Sequence, residues 1–84
     1  MPESFIVTVT NKQGTFEIDL QIPASLKVSD FDGKLLEILQ IIDEREFRRW
    51  SRLKMSCEGR ALRGSDSLAS AGVFDGSIIV VTEL

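Results

Sequence analysis

The stretch Ser29–Ile42, SDFDGKLLEILQII, constrains the fold more than any other part of the chain. At about 100° per residue, Phe31, Leu35, Ile38, Leu39 and Ile42 fall within about 100° of one another. Asp30, Gly33, Glu37 and Gln40 take the far side. The pattern predicts one amphipathic helix whose greasy face must be covered by the rest of a short chain. Ser29 is placed to cap its first turn, and Asp32, three residues on, sits like the acidic partner of a capping box. Asp30 suits the positive end of the helix dipole. Gly33 costs about 1 kcal/mol relative to alanine, but it lies on the solvent side.

What covers that face reads as a sheet. In Ser4–Thr10, Phe5, Val7 and Val9 face one way and Ile6, Thr8 and Thr10 the other. In Thr15–Ile22, Phe16, Ile18, Leu20 and Ile22 point inward and Glu17, Asp19 and Gln21 outward. NKQG between the two runs supplies a turn, so the pair predicts a β-hairpin with one wet face. Pro23 ends the second strand by lacking an N–H donor. Leu26 or Val28, in the linker, tucks under the first helical turn. Phe47 and Trp50 do not continue the apolar stripe, so the main helix ends near Asp43 and a separate short turn follows. Leu53, Met55 and Cys57 then alternate with Lys54 and Ser56. EGR is a tight turn into a short strand at Ala61–Leu62. Ser67–Gly72 reads as a helical turn closed by Gly72, and Asp75–Gly76 as a further turn. SIIVVT makes the last strand, with Ile79 and Val81 inward and Ile78 and Val80 outward. The most apolar strand is the expected central one, parallel to the first. The class is α+β, a mixed five-stranded sheet packed on one main helix, with residues 1–84 forming a single domain.

Composition narrows the chemistry. A chain of 84 residues buries only about 60–65% of its unfolded surface, so every apolar position counts. No run approaches the roughly 18 apolar residues of a membrane span, and MPESF lacks the features of a signal peptide. One cysteine and no visible export signal point to a reducing cytoplasm. The net charge of −3 argues against general nucleic-acid binding. No histidine is present to activate Cys57, which falls on the inward side of a strand and reads as a buried, inert thiol. No metal-ligand cluster stands out, and GRALRGSD lacks the spacing of a phosphate loop. The expectation is a protein that is not an enzyme and holds no cofactor or metal.

Surfaces remain. Residues 45–64 hold every arginine of the chain, six of them, with Lys54 against only Glu46 and Glu58. Residues 1–44 hold three lysines against eight acids. Arginine and tryptophan are enriched at interface hot spots. Arg45, Phe47, Arg48, Arg49, Trp50 and Arg52 are therefore candidate partner-binding residues, with Arg60 and Arg63 in the same charged run. The competing reading is structural: Trp50 caps the open end of a small core and the arginines pair with local acids. Ile78 and Val80 are a second candidate, two outward aliphatics on a central strand that suit self-association. Partial cover by neighbouring side chains is the alternative there.

This order and spacing resemble the β-grasp fold of ubiquitin over Phe5–Thr82. Val28, Phe31 and Leu35 fall at its core positions, as do Met55, Gly59, Leu62, Leu68, Val73, Ile79 and Val81. Two insertions are needed, one in the linker and one after the helix. The chain resembles more closely the bacterial YukD/EsaB family of ubiquitin-like proteins that accompany type VII (ESX/WXG) secretion systems. That likeness rests on Arg48–Arg49–Trp50–Ser51–Arg52–Leu53, on Leu68–Ala69–Ser70–Ala71–Gly72 and on Asp75–Gly76–Ser77–Ile78–Ile79. Two departures from ubiquitin bear on function. The chain ends Val81–Thr82–Glu83–Leu84 and holds no Gly–Gly pair, against conjugation or sulfur transfer. The aliphatic recognition patch of ubiquitin maps onto Ser56 and Thr82.

The resemblance implies a non-conjugated ubiquitin-like adaptor, an accessory of a type VII secretion system with a protein component of that system as partner. It implies no nucleic acid and no direct membrane insertion. The expected location is the cytoplasm, compatible with attachment to the inner membrane face through a partner. Two other readings stay open: a ubiquitin-like carrier or modifier, and a self-associating structural module such as a homodimer.

Overall fold

A computed structural model describes residues 3–84. The part of the amino-terminal reading that falls on Met1 and Pro2 lies outside the described residues. The elements in order are β1 (Ser4–Asn11), β2 (Glu17–Pro23), α1 (Val28–Ile42), α2 (Glu44–Phe47), β3 (Leu53–Cys57), β4 (Arg60–Ala61) and β5 (Ile78–Glu83). They form one mixed sheet in the order β2-β1-β5-β3-β4. β5 lies at its centre, parallel to β1 and antiparallel to β3. Val9 stands beside Ile79, and Met55 beside Val81.

The period-2 alternation of β1, β3 and β5 survives intact. Phe5, Val7 and Val9, then Leu53, Met55 and Cys57, then Ile79 and Val81 are all buried. Against them α1 packs Val28, Phe31, Leu35 and Leu39. On β2, Ile22 is buried while Ile18 and Leu20 are half-buried, because β2 is an edge strand that the helix covers only in part. The turn between β3 and β4 is tight, with Glu58 at φ +52° and Gly59 at φ +79°, the backbone of a two-residue hairpin. β4 is Arg60–Ala61, one residue earlier than expected, because that turn sets Cys57 opposite Arg60. The Ser67–Gly72 turn closes as its spacing suggested. The Ala71 N–H donates to Ser67 O, the Val73 N–H to Leu68 O, and Gly72 takes φ +92°.

Three expectations for α1 are corrected. Its N-cap is Lys27, which makes no side-chain capping bond, and Ser29 lies inside the first turn. The free N–H groups are taken by main-chain carbonyls of a distant loop: Val28 N–H donates to Asp66 O at 2.9 Å and Ser29 N–H to Gly64 O at 3.2 Å. A helix end needs its donors satisfied but is indifferent to whether side chain or backbone does it. The same loop is laced to the linker, since the Leu68 and Ala69 N–H groups donate to Leu26 O and Ala24 O. Asp32 is no capping-box partner; it is half-buried on the helix flank. Ile38 is only half-buried and Ile42 is 50% exposed, although both share the apolar arc. α2 packs on α1, with Gln40 bonded to Phe47 O and Trp50 O, and Phe47 is fully buried where Ile42 is not.

Ser29→Ala should therefore change unfolding free energy by less than about 0.5 kcal/mol, against the roughly 1 kcal/mol typical of a lost N-cap. Phe47→Ala should cost about 3–5 kcal/mol by urea denaturation, as for a fully buried aromatic.

Candidate functional site

The segment after α1 turns on a single buried ring. Asp43 caps α2, its side chain accepting from the Glu46 N–H at 3.1 Å. The Phe47 N–H donates to Asp43 O and the Trp50 N–H to Phe47 O. Gln40 fastens this turn to α1: its Nε2 donates to Phe47 O at 3.1 Å and to Trp50 O at 2.8 Å. Phe47 is fully buried, edge-on to Phe16 with centroids 5.2 Å apart. Trp50 packs edge-on over Phe47 at 4.9 Å and stays half-buried.

Phe47 is thus removed from the partner-binding candidates. It has no surface to offer and acts as the anchor of the turn. Its burial directs the rest of the segment outward. Arg45, Arg48 and Arg49 are exposed and, with Trp50, Glu46 and Glu83, line one hollow of about 450 Å³. Arg48 also borders a neighbouring hollow with Glu37, Gln40, Ile41 and Glu44. Ile41 is 83% exposed there and escaped the sequence reading, because it lies off the apolar arc.

The arginine run does not stay together. β3 carries the chain away from the hollow, so Arg60 and Arg63 sit at its other end, in a separate hollow with Asp66 and Ser70. Arg52 is exposed but does not line the Trp50 hollow; its guanidinium acts on Asp32 instead. Burial pushes the Asp32 carboxyl above its ordinary value, and Arg52 pulls it part of the way back.

Ile78 and Val80 do face outward, Ile78 exposed and Val80 half-buried. Phe74 joins them in one hollow with Glu58 and Gly59. The parallel register adds Ile6, two positions before Thr8, the partner of Ile78. The sequence alone marks Ile6 as outward; that it shares a face with Ile78 follows from the β1–β5 register. Cys57 is a buried free thiol, as the alternation of β3 requires. Among the described residues no group of three or more acids or cysteines is placed to hold a metal ion. None of the helices among them is long and apolar enough to cross a membrane.

A sequence model of the protein YukD of the WXG100 protein secretion system (Wss) matches residues 5–81. The chain belongs to the YukD family. Solved structures agree on the fold. The ubiquitin-like domain of the Mycobacterium tuberculosis type VII secretion system protein EccD1 superposes with a TM-score of 0.75 at 23% identity, covering 98% of this chain and 99% of that one. The EccD5 ubiquitin-like domain from Mycobacterium xenopi gives 0.78 at 21% identity, covering 99% and 97%. A chain of the MycP5-free ESX-5 inner membrane complex gives 0.78 at 23% identity. This protein covers 99% of its own length there and spans about a fifth (21%) of the length of that chain. No curated protein matches the sequence. The β-grasp fold and the YukD resemblance read from the sequence are thereby confirmed.

The Asp32–Arg52 pair gives a test with a definite sign. A carboxyl raised on folding binds its proton more tightly in the native state. Its contribution favours the fold at low pH and is lost as pH rises through the native pKa. Arg52→Ala removes the opposing charge, so the Asp32 midpoint followed by carboxyl-carbon NMR should move further up. A downward move would contradict the assignment.

Proposed function

We propose that this YukD-family protein is a non-conjugated adaptor of a type VII secretion system, docking onto a larger component through the Trp50 hollow. The observation that carries this reading is the grouping of Arg45, Arg48 and Arg49 round one half-exposed tryptophan, held outward by the buried Phe47. A surface of that kind suits an acidic partner. Guanidinium groups give bidentate contacts to carboxylates, and the indole face gives apolar area at low entropic cost. The adaptor acts by burying surface and carries out no chemistry of its own. Family membership supports this kind of assembly, and on this proposal the protein sits at the inner membrane, reached from the cytoplasmic side through its partner.

Co-expression with the other components of its own secretion system tests the reading. The wild-type protein should co-purify with a membrane-bound component in an amount that falls as salt rises. Arg48→Glu/Arg49→Glu, exposed substitutions that leave Phe47 in place, should lower recovery at least tenfold, a loss of about 1.4 kcal/mol or more. Equal recovery of wild type and variant would contradict it.

A further inference from the structure

The two ends of β5 carry surfaces of opposite character. At the Glu83 end stands the arginine hollow with Trp50. At the Ile78 end the outer face of the sheet carries Ile6, Phe74 and Ile78, each more than half exposed, with Val80 half-buried beside them. Aliphatic and aromatic exposure clustered in this way is uncommon on a surface with no occupant. Its rim is acidic. Glu58 lines the same hollow, and no lysine or arginine does. Asp75 lies at the edge, its carboxylate accepting from the Ile6 N–H at 2.8 Å. Asp19 faces outward on β2, accepting from the Thr8 hydroxyl. Arg60 is no counterweight. It pairs with Cys57, an inward position, and its guanidinium lies beside Gly72.

We infer that the occupant of this patch is the Trp50 hollow of a second copy of the chain. Phe74 is about half exposed on one copy, and the other offers a hollow lined by the Trp50 indole and three guanidinium groups, which outnumber the carboxylates of Glu46 and Glu83 there. An aromatic ring there gains edge-to-face contact with Trp50 and cation–π contact with arginine. Glu58 at the patch then meets the positive wall of the hollow. The two surfaces lie at opposite ends of β5, a six-residue strand that sets them roughly 20 Å apart, so neither reaches the other within one chain. The contact joins two different surfaces, a heterologous interface that repeats from copy to copy. It uses the hollow assigned to partner docking, so self-association and docking compete.

Sedimentation velocity from micromolar to millimolar protein tests this. The wild-type sedimentation coefficient should rise with concentration and the rise should shrink with added salt. Phe74→Asp and Arg48→Glu/Arg49→Glu should each stay monomeric, with near-ultraviolet circular dichroism reporting an intact core. An equimolar mixture of the two variants should form dimers that grow no further, since each retains the surface the other lacks. A wild type that stays monomeric throughout, whatever else the patch binds, overturns the proposal. So does Phe74→Asp associating like wild type, or a mixture that remains monomeric. Phe74→Asp keeps the Trp50 hollow, so it should still co-purify with the secretion component; the two readings therefore fail separately.

Discussion

The burial of Phe47 is the constraint on which the rest of the molecule turns. α1 has 15 residues, about 22 Å, and its last turn leaves Ile41 and Ile42 exposed. That end of the core would be open to water. One ring from a four-residue helix closes it, wedged between Phe16 and Trp50 and held by two bonds from Gln40. A fully buried aromatic is worth about 1.5–3 kcal/mol in transfer free energy. The same insertion sets the direction of every neighbour. With Phe47 inward, Arg45, Arg48 and Arg49 face water, and Trp50 lies half in the core and half in the hollow. Stability and the docking surface are therefore consequences of one packing event.

The central position of β5 adds the second constraint. Parallel to β1 and antiparallel to β3, it carries a different surface at each end. Its inward residues, Ile79 and Val81, are fixed by the core. Its outward residues are not, and there Ile78 and Val80 line a hollow with Phe74, with Ile6 on the same face. The loop at 64–69 lies apart from both surfaces. It closes the start of α1 with backbone carbonyls and binds the linker to the rest of the fold.

What the sequence made legible was local. Alternation in FIVTV, FEIDLQI and LKMSC reports a period that only a strand satisfies, and the apolar arc of α1 reports its helix. The β5 prediction also held, because a near-continuous aliphatic run belongs at the centre of a sheet. What stayed hidden depends on contacts between distant segments. Nothing in Ser29 or its neighbours says that Gly64 and Asp66 will satisfy the helix start. Nothing in Ile42 says that Phe47 will take its place. The six arginines read as one run because they are close in sequence, yet β3 separates them. Phe47 reads as surface for a related reason: its place in a charged segment hides its role in the core.

Trp50 is the one tryptophan of the chain, which makes its fluorescence a direct probe of the central claim. That claim is a partly exposed indole resting on a buried phenylalanine, in a hollow where Arg45, Arg48 and Arg49 outnumber Glu46 and Glu83. Collisional quenching at low ionic strength by iodide, an anion, should be several-fold more efficient than by caesium, a cation, and the difference should vanish in Arg48→Glu/Arg49→Glu. Equal quenching by the two ions in the wild-type protein, or an indole inaccessible to both, would contradict it.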